Sequence, residues 1–299
     1  MPSKVNMPPQ GFVSLFHGTN LTGWYGWGTQ DPNDFKSMSP EEQVDYKKKS
    51  IAGGLLNKKG IDVGDHINAH WRVEDNEIVN DGKGLYLTTD QEYGDFELLV
   101  DYKMQPLGDS GIYLRGIPQV QIWDSTEEKK FKLGADRGSG GLWNNKREEG
   151  KHPLALMDRP FGEWNHFRIK MIGERVTVEF NGKTVVQNAV MDNFFAQRKN
   201  KGKKNKANGF LVDPVPPRGP IQLQTHGSEI RWRNIFIREI STSEANEFLR
   251  SQNSNGFVEL NNGQDLSNWQ GATDSYAIHQ GNITCKPGKG GDLLTKESF

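Results

Sequence analysis

The chain has 299 residues, enough for one large domain or two smaller ones that each bury a core. Its 37 Lys and Arg residues nearly balance 38 Asp and Glu residues, so the net charge of −1 gives no electrostatic basis for binding nucleic acid or an anionic membrane. The single cysteine, Cys285, excludes an intrachain disulfide and a multi-cysteine zinc site, while metal sites built from histidine and carboxylate ligands remain open.

The given sequence shows no membrane-spanning or secretory segment. No apolar run approaches the roughly 20 residues of a membrane helix, and the opening stretch MPSKVNMPPQ lacks the apolar core of a secretory signal. The 34 glycines and eight tryptophans, together with few long helical patterns, favour short strands joined by tight turns. We therefore expect an all-β protein.

An insertion follows the first predicted strands. Residues 25–70 contain a helix start in which Ser39 is the N-cap and Pro40 lies in the first turn. The two glutamates that follow face the positive end of the helix dipole. We interpret this segment as a short helical insertion on a β scaffold.

Six later segments alternate between apolar and polar residues with a period of two, which is typical of strands with one face in a core. They are 96–104, 111–116, 119–124, 164–171, 175–180 and 221–227. The predicted core consists of the apolar positions Phe96, Leu98, Val100, Ile112, Leu114, Val120, Ile122, Ile221 and Leu223. The pair Asn181-Gly182 predicts a tight hairpin. A two-sheet sandwich accounts for the whole pattern.

The C-terminal part of the chain is predicted to begin a second copy of the same domain. GFVSLFHGTNLTGW at 11–24 matches GFVELNNGQDLSNW at 256–269 at seven of fourteen positions, and a weaker match continues to the end of the chain. The predicted organisation is a sandwich domain at 11–240, a linker at 241–255 and a truncated second copy at 256–299.

Two connecting segments have simpler interpretations. The basic stretch RKNKGKKNK at 198–206 is predicted to be a solvated loop. The linker begins with a helix-like segment from Ser241, a plausible N-cap, to Leu249.

Because an incomplete copy leaves strand edges unpaired, self-association through residues 256–299 is a further expectation.

Polar residues on the predicted strands form a distinctive set. It comprises Asp101, Lys103, Tyr113, Arg115, Gln119, Gln121, Trp123, Gln222, Gln224 and His226. Tyr, Trp, Arg and Gln offer stacking surfaces and donor and acceptor forks that suit sugar hydroxyls, whereas solvated sheet faces usually carry Lys, Glu and Thr. One interpretation is a carbohydrate cleft; the other is that these residues pack under loops or bind the second copy. The alternation supports both equally.

Two residues of this set are candidate catalytic groups. Histidine can serve as acid or base near neutral pH, although His226 before Gly227 at a strand end is more often structural. Asp101 is a mid-strand carboxylate on the predicted cleft face, although a neighbouring Lys103 commonly makes it half of an ion pair. Other acids near turns, Asp109, Asp124 and Asp136, are able to cap backbone groups or hold a hard cation, but their spacing matches no defined metal loop.

Four blocks carry a resemblance to a known family. They are SGIYLRGIPQVQIWD at 110–124, GSGGLWNN at 138–145, GEWNHFRI at 162–169 and GPIQLQTHGSEIRWRNIFIREI at 219–240. With the opening segment and the GDFELLVDYK strand, they resemble the bacterial 3-keto-disaccharide hydrolase domain over about residues 11–240. The resemblance implies a concanavalin-like, jelly-roll sandwich with a ligand cleft on one sheet, and a periplasmic or extracellular location. The insertion at 25–70 and the basic loop near 200 depart from the family pattern.

The resemblance also implies cleavage of a glycoside that has been oxidised at C3. A ketone at C3 acidifies the C2 hydrogen and permits elimination of the C1 substituent, followed by addition of water. This chemistry requires a base near C2, a cation or donor at the O3 enolate and a donor for the leaving oxygen. We assign the roles of base and leaving-group acid to Asp101 and His226. Stabilisation of the enolate is assigned to Arg115 or a bound divalent cation such as calcium. The sugar is expected to contact Tyr113, Arg115, Gln119, Gln121, Trp123, Gln222 and Gln224.

Other functions share the same sequence features. A non-catalytic, lectin-like carbohydrate-binding module would have the same fold and the same aromatic and amide-rich cleft. The repeated domain suggests a third function, an interaction module of a larger surface assembly. An ordinary glycoside hydrolase needs two carboxyl groups that flank the bond. Asp101 with Asp124 is the nearest candidate pair, and alternation places the two on opposite faces.

Overall fold

The alternating segments fold into two antiparallel sheets. The computed structural model describes residues 5–57, 59–199, 215–252 and 260–296. Its first thirteen strands are β1 Val13–Ser14, β2 Trp24–Trp27, β3 Trp71–Glu74, β4 Glu77–Asn80, β5 Tyr86–Thr89, β6 Phe96–Met104, β7 Asp109–Leu114, β8 Ile117–Trp123, β9 Asn165–Ile172, β10 Arg175–Phe180, β11 Lys183–Val190, β12 Gln222–Leu223 and β13 Ile230–Glu239.

The strand order places β7, β8 and β12 together in one sheet and β6 in the other. The larger sheet has eight strands in the order β11-β10-β9-β6-β13-β4-β3, with β1 also paired to β13. The smaller sheet has five strands in the order β2-β5-β12-β7-β8. We refer to them as the eight-stranded and the five-stranded sheet.

Both sheets contribute to one apolar core. All nine residues of the predicted core are fully buried and belong to the same cluster, which is extended by aromatic side chains such as Tyr102, Phe167 and Trp232. The predicted all-β fold class is therefore confirmed: the chain is a two-sheet antiparallel sandwich with a short helical insertion.

Local sequence signals account for the turns and helix starts. Asn181 and Gly182, both with positive φ, form the predicted tight hairpin between β10 and β11. Ser39 and Glu42 form a capping box at the start of the insertion helix. The helices are α1 Pro32–Lys36, α2 Pro40–Ala52, α3 Ile67–His70, α4 Phe194–Lys199 and α5 Thr242–Gln252, with 3₁₀ segments at Glu128–Leu133 and Ala135–Arg137.

The chain divides into two units, Met1–Ala245 and Asn246–Phe299. Within its described residues, the second unit contains two two-stranded antiparallel sheets: β14 Trp269–Gly271 pairs with β17 Leu293–Thr295, and β15 Tyr276–His279 forms a hairpin with β16 Asn282–Cys285. The β15–β16 hairpin aligns in sequence with β3–β4, which is also a hairpin. This similarity supports the interpretation of residues 256–299 as a truncated copy, which stays a prediction.

The connecting segments are described in part. Helix α5 begins near the predicted N-cap and continues to Gln252, three residues beyond the predicted helix end. The basic loop predicted at 198–206 overlaps the end of α4, and its remainder from residue 200 onward lies outside the described residues.

Candidate functional site

The outward face of the five-stranded sheet is rich in glutamine and aromatic side chains. Since Ile112 points into the core, its neighbours along β7 point the other way. The register aligns Tyr113 with Gln222 of β12, and Gly111 with Gln121 of β8. We call this surface the polar face; its residues are Tyr25, Trp27, Tyr86, Thr88, Asp109, Gly111, Tyr113, Gln119, Gln121, Trp123, Gln222 and Gln224.

Four buried glutamines form the centre of the polar face, namely Gln119, Gln121, Gln222 and Gln224. Their amide nitrogens are used within the face: Gln119 donates to the Oε1 atom of Gln121, and Gln222 donates to Thr88 Oγ1 at 3.0 Å. The amide oxygens of Gln119, Gln222 and Gln224 have no hydrogen-bond partner in the described part of the chain. Three buried acceptors therefore lack a donor, and a sugar hydroxyl that reached the face would supply one.

A carboxylate, a histidine and a lysine meet at one end of the glutamine row. Asp109 Oδ2 lies 3.4 Å from His226 Nδ1 and 3.0 Å from Lys130 Nζ, and Asp109 Oδ1 accepts a hydrogen bond of 3.0 Å from Gln121 Nε2. The Asp109 side chain is 17% exposed and that of His226 is 62% exposed, so the cluster opens to solvent. We call Asp109, Lys130 and His226 the acid–base cluster.

The charge of Lys130 is stabilised by two carboxylates. Partial burial lowers the pKa of this ammonium, but the hydrogen bonds and charges of Glu127 and Asp109 outweigh burial and raise the pKa. Lys130 Nζ lies 2.9 Å from Glu127 Oε2. Lys130 is therefore a permanent cation beside Asp109 at neutral pH.

Local structure explains how Lys130 reaches the polar face. The Asp124 carboxylate accepts hydrogen bonds from the backbone N–H groups of Leu107 at 2.8 Å and Thr126 at 2.7 Å, which fixes the turn after β8. The 3₁₀ segment Glu128–Leu133 then folds back beside β7, and Gly134 ends it in the left-handed conformation. This path carries the Lys130 side chain to Asp109.

Asp101 does not lie on the polar face, so the prediction that it shares a face with the glutamines is wrong. It belongs to β6 in the eight-stranded sheet, where it alternates with core residues and points outward. Its carboxylate lies 2.6 Å from His166 Nδ1 and accepts a hydrogen bond of 2.7 Å from Asn234 Nδ2. Lys103 lies in the same sheet, 3.5 Å from Glu77. Alternation identifies the face of a strand but not the sheet to which the strand belongs.

Arg115 is also turned away from the polar face, which corrects its predicted position there. With φ of 54°, it forms a two-residue turn with Gly116 between β7 and β8, so the strand alternation ends at Leu114. Its guanidinium is fully buried, pairs with Asp95 at 2.8 Å and donates to the carbonyls of Gly94, Gly173 and Pro216. These hydrogen bonds hold the surrounding loops together.

The two aromatic candidates do lie on the polar face. The ring of Tyr113 is 5.3 Å from that of Tyr86, and burial raises the pKa of Tyr113, so its hydroxyl stays neutral. The indole N–H of Trp123 donates to the Gly138 carbonyl at 2.8 Å, and its ring packs edge-on against Trp143. Trp123 is therefore packed inside the protein, and its N–H is not a free donor.

Two members of the acid–base cluster, Asp109 and Lys130, were not predicted as catalytic residues. Asp109 precedes Gly111 and Tyr113 by even numbers of residues, so extending the alternation two positions upstream would have placed it on the polar face. Lys130 carries no such signal, since its position depends on the course of a 3₁₀ segment.

The insertion covers the opposite edge of the five-stranded sheet from β8. Trp27 of β2 packs against Phe35 and Tyr46 with ring distances of 5.4 and 5.0 Å, and Lys47 Nζ lies 4.8 Å above the ring of Tyr25. The insertion therefore forms an aromatic wall at the β2 edge of the polar face.

Across residues 5–57, 59–199, 215–252 and 260–296, no group of three or more His, Cys, Asp or Glu side chains is placed to hold a metal ion. No helix in the same ranges is long and apolar enough to cross a membrane.

Comparisons with known proteins give one family and several similar proteins. Residues 11–238 match the family described as 3-keto-alpha-glucoside-1,2-lyase-like domain. A 3-keto-disaccharide hydrolase of Bacteroides thetaiotaomicron is 23% identical over 264 residues, which cover 76% of this chain and 78% of that protein.

Several solved structures are similar to this chain at lower sequence identity. A crystal structure from Parabacteroides distasonis, described as that of a candidate glycosyl hydrolase, has 20% identity and a TM-score of 0.49, covering 80% of this chain and all of that one. The carbohydrate-binding module CBM66 of Bacillus subtilis has 10% identity and a TM-score of 0.34, covering 56% of this chain and 91% of that one.

Proposed function

Because the chain belongs to the family of 3-keto-alpha-glucoside-1,2-lyase-like domains, we propose that its polar face binds a 3-keto-disaccharide or 3-keto-glucoside and cleaves the glycosidic bond. The observation that carries this proposal is the row of three unpartnered amide oxygens beside the acid–base cluster. Buried acceptors bind hydroxyls, while the cluster combines a base, a cation and a proton donor. We extend the proposal to a periplasmic or extracellular location, which rests on the family resemblance alone.

Binding is assigned to the glutamine row and the two tyrosines. Sugar hydroxyls donate to the amide oxygens of Gln119, Gln222 and Gln224, which removes the cost of leaving those buried acceptors unpaired. Tyr113 and Tyr86 lie beside these amides with their ring centroids 5.3 Å apart and form the apolar base of the proposed site. The sugar is thereby held with its reacting end toward Asp109.

The first chemical step is proton abstraction from C2. The Asp109 carboxylate takes this proton, and the C–H electron pair forms a C2=C3 double bond as the charge moves to O3. Lys130, whose ammonium lies 3.0 Å from Asp109, stabilises the O3 enolate. In this proposal Lys130 has the role that the sequence assigned to Arg115 or a divalent cation.

The second step breaks the glycosidic bond. The enolate re-forms the C3 carbonyl, the electron pair moves to form C1=C2, and the C1–O bond breaks while His226 donates a proton to the leaving oxygen. The 3.4 Å contact between Asp109 and His226 lets Asp109 pass the proton taken from C2 to the imidazole, which replaces the proton that His226 donated. Addition of water, with hydroxide at C1 and a proton at C2, then releases the free keto sugar.

One experiment tests the function and its mechanism together. The protein is incubated in D₂O with 3-keto-trehalose and 3-keto-sucrose, with trehalose and sucrose as matched unoxidised controls, each with and without chelator. We expect release from the keto sugars only, with deuterium at C2 of the released keto sugar. Equal release from the unoxidised sugars, or release without deuterium, contradicts the elimination mechanism. Binding of the keto sugars without release would favour a lectin-like module.

A further inference from the structure

A basic cleft lies next to the β8 edge of the five-stranded sheet. It has a volume of about 630 Å³ and is lined by residues of the segments 131–137 and 143–152 and by Phe194 of α4. Four of its side chains are cations, Lys132, Arg137, Lys146 and Lys151, and a single carboxylate, Asp136, opposes them. We call it the basic cleft. Such an excess of positive charge is unusual in a chain whose net charge is −1.

None of the four cations is neutralised within the described residues. Among the described residues, no carboxylate lies within 4.0 Å of Lys132, Arg137, Lys146 or Lys151, whereas the adjacent Arg147 pairs with Asp192 at 2.7 Å. Four like charges opposed by one unpaired carboxylate repel one another, and an anion entering the cleft relieves this repulsion.

Two buried polar atoms in the lining also lack partners. Asn144 Oδ1 and His152 Nδ1 are buried and have no hydrogen-bond partner in the described ranges. Burial, together with the charges of Arg137 and Lys151, lowers the pKa of His152, so the imidazole stays neutral at physiological pH. An amide oxygen and a neutral imidazole suit hydroxyl groups, so the lining offers more than charge.

An aromatic surface connects the basic cleft to the polar face. Trp143 lines the cleft, its N–H donates to the Leu133 carbonyl at 3.0 Å, and its ring packs edge-on against Trp123 at 6.0 Å. Trp123 is aligned in register with Asp109. The ring of Trp143 therefore has its N–H engaged and contributes an apolar surface to the cleft, as sugar sites commonly require.

From these three features we propose that the basic cleft binds an acidic sugar, that is, a saccharide that carries a carboxylate, sulfate or phosphate group. The four cations bind the acid group, Asn144 and His152 contact hydroxyls, and Trp143 packs against the ring. Cations alone would suit any anion; the hydroxyl partners and the aromatic surface select a sugar. This inference goes beyond the cleavage of keto sugars and does not depend on it.

Calorimetric titration tests this inference directly. The ligands are methyl glucuronide, glucose 6-sulfate and glucose 6-phosphate, with methyl glucoside as the neutral control and inorganic sulfate and phosphate as the bare anions. We expect at least one acidic sugar to bind about tenfold more tightly than both methyl glucoside and its bare anion. Equal binding of the neutral sugar overturns the proposal, and equal binding of a bare anion reduces the cleft to an anion site and overturns it too.

Variants then locate the binding. Arg137→Gln and Lys151→Gln are each expected to weaken binding of the acidic sugar roughly 10- to 100-fold. Lys129→Gln, an exposed lysine of the same 3₁₀ segment that does not line the cleft, is the matched control and is expected to change affinity by less than about twofold. Asp109→Asn is expected to leave this binding unchanged, which separates the result from the fate of the proposed function. Unchanged affinity in both cleft variants, with their melting temperatures intact, overturns the assignment.

Discussion

The two sheets each hold an aspartate beside a histidine, and the two pairs differ in their neighbours. On the eight-stranded sheet, Asp101 lies 2.6 Å from His166, and its other oxygen accepts from Asn234. On the five-stranded sheet, Asp109 lies 3.4 Å from His226, beside Lys130 and the glutamine row. A short carboxylate–histidine contact is therefore a poor guide to function on its own. The polar face stands out because buried acceptors without partners lie beside an ammonium and a carboxylate.

The largest expected effect separates the two aspartates. Asp109→Asn removes the proposed base and should reduce turnover of 3-keto-trehalose by about 10²–10⁴-fold with little change in its binding. Asp101→Asn makes the same chemical change beside His166 and should leave turnover within about twofold. Rates of sugar release and calorimetric titration measure the two quantities. A loss of turnover in Asp101→Asn alone would return the catalytic role to the residue that the sequence suggested.

The second prediction compares a buried arginine–carboxylate pair with an exposed one. Arg115→Met leaves Asp95 and three carbonyls without their donor, so the free energy of unfolding should fall by about 3–5 kcal/mol. Arg218→Met breaks an exposed pair with Glu239 and should cost less than about 1 kcal/mol. Urea denaturation measures both. An Arg115→Met protein of unchanged stability that has lost sugar binding would support the original assignment of Arg115 to the substrate.

The third prediction separates two lysines. Lys130→Gln removes the cation beside Asp109 and should lower kcat by about 10²–10³-fold, because the enolate charge exists only during the reaction. Lys103→Gln, on the eight-stranded sheet beside Glu77 and Trp164, should leave kcat within about twofold. Initial rates at saturating keto sugar measure the effect. A rise in KM with an unchanged kcat in Lys130→Gln would show that Lys130 only binds the sugar.

The smallest expected effect concerns the charges of the eight-stranded sheet. Burial raises the pKa of Glu97, but hydrogen bonds from Arg238 and Arg168 outweigh it and hold the pKa below the ordinary value of 4.5. The unfolded chain then binds more protons than the folded one, so this contribution to stability is present above that value and is lost as the pH falls. We expect the free energy of unfolding to fall less steeply between pH about 5 and 3 in Glu97→Gln than in the parent protein. Identical slopes would contradict this role.

Much of the fold follows from local patterns, whereas the site depends on long-range placement. Alternation identified the core residues of β6, β7, β8 and β12, and Asn181-Gly182 identified a hairpin. It also selected the four glutamines, because each points opposite to a core neighbour. Their role as sugar ligands stays a prediction.

The misplaced residues share one cause, which is that a periodic pattern carries no information beyond its strand. Asp101 has the correct alternation but lies in the other sheet, because strand order is set by the packing of distant segments. Arg115 follows the alternation in sequence but lies in a left-handed turn, where the period of two no longer applies. Lys130 reaches Asp109 through a turn that Asp124 fixes, so its position depends on side-chain hydrogen bonds.

Gly111 controls the orientation of Gln119 through the volume that it leaves free. It lies mid-strand with an ordinary extended backbone, yet a Cβ atom there would stand 2.9 Å from the Cδ atom of Gln119. Gln119 therefore lies across β7 only because position 111 has no side chain. Among related sequences, we expect positions 111 and 119 to vary together, with any residue larger than glycine at 111 accompanied by a shorter side chain at 119. Under the proposed function, the sugar preferred by the polar face would then change along with that pair.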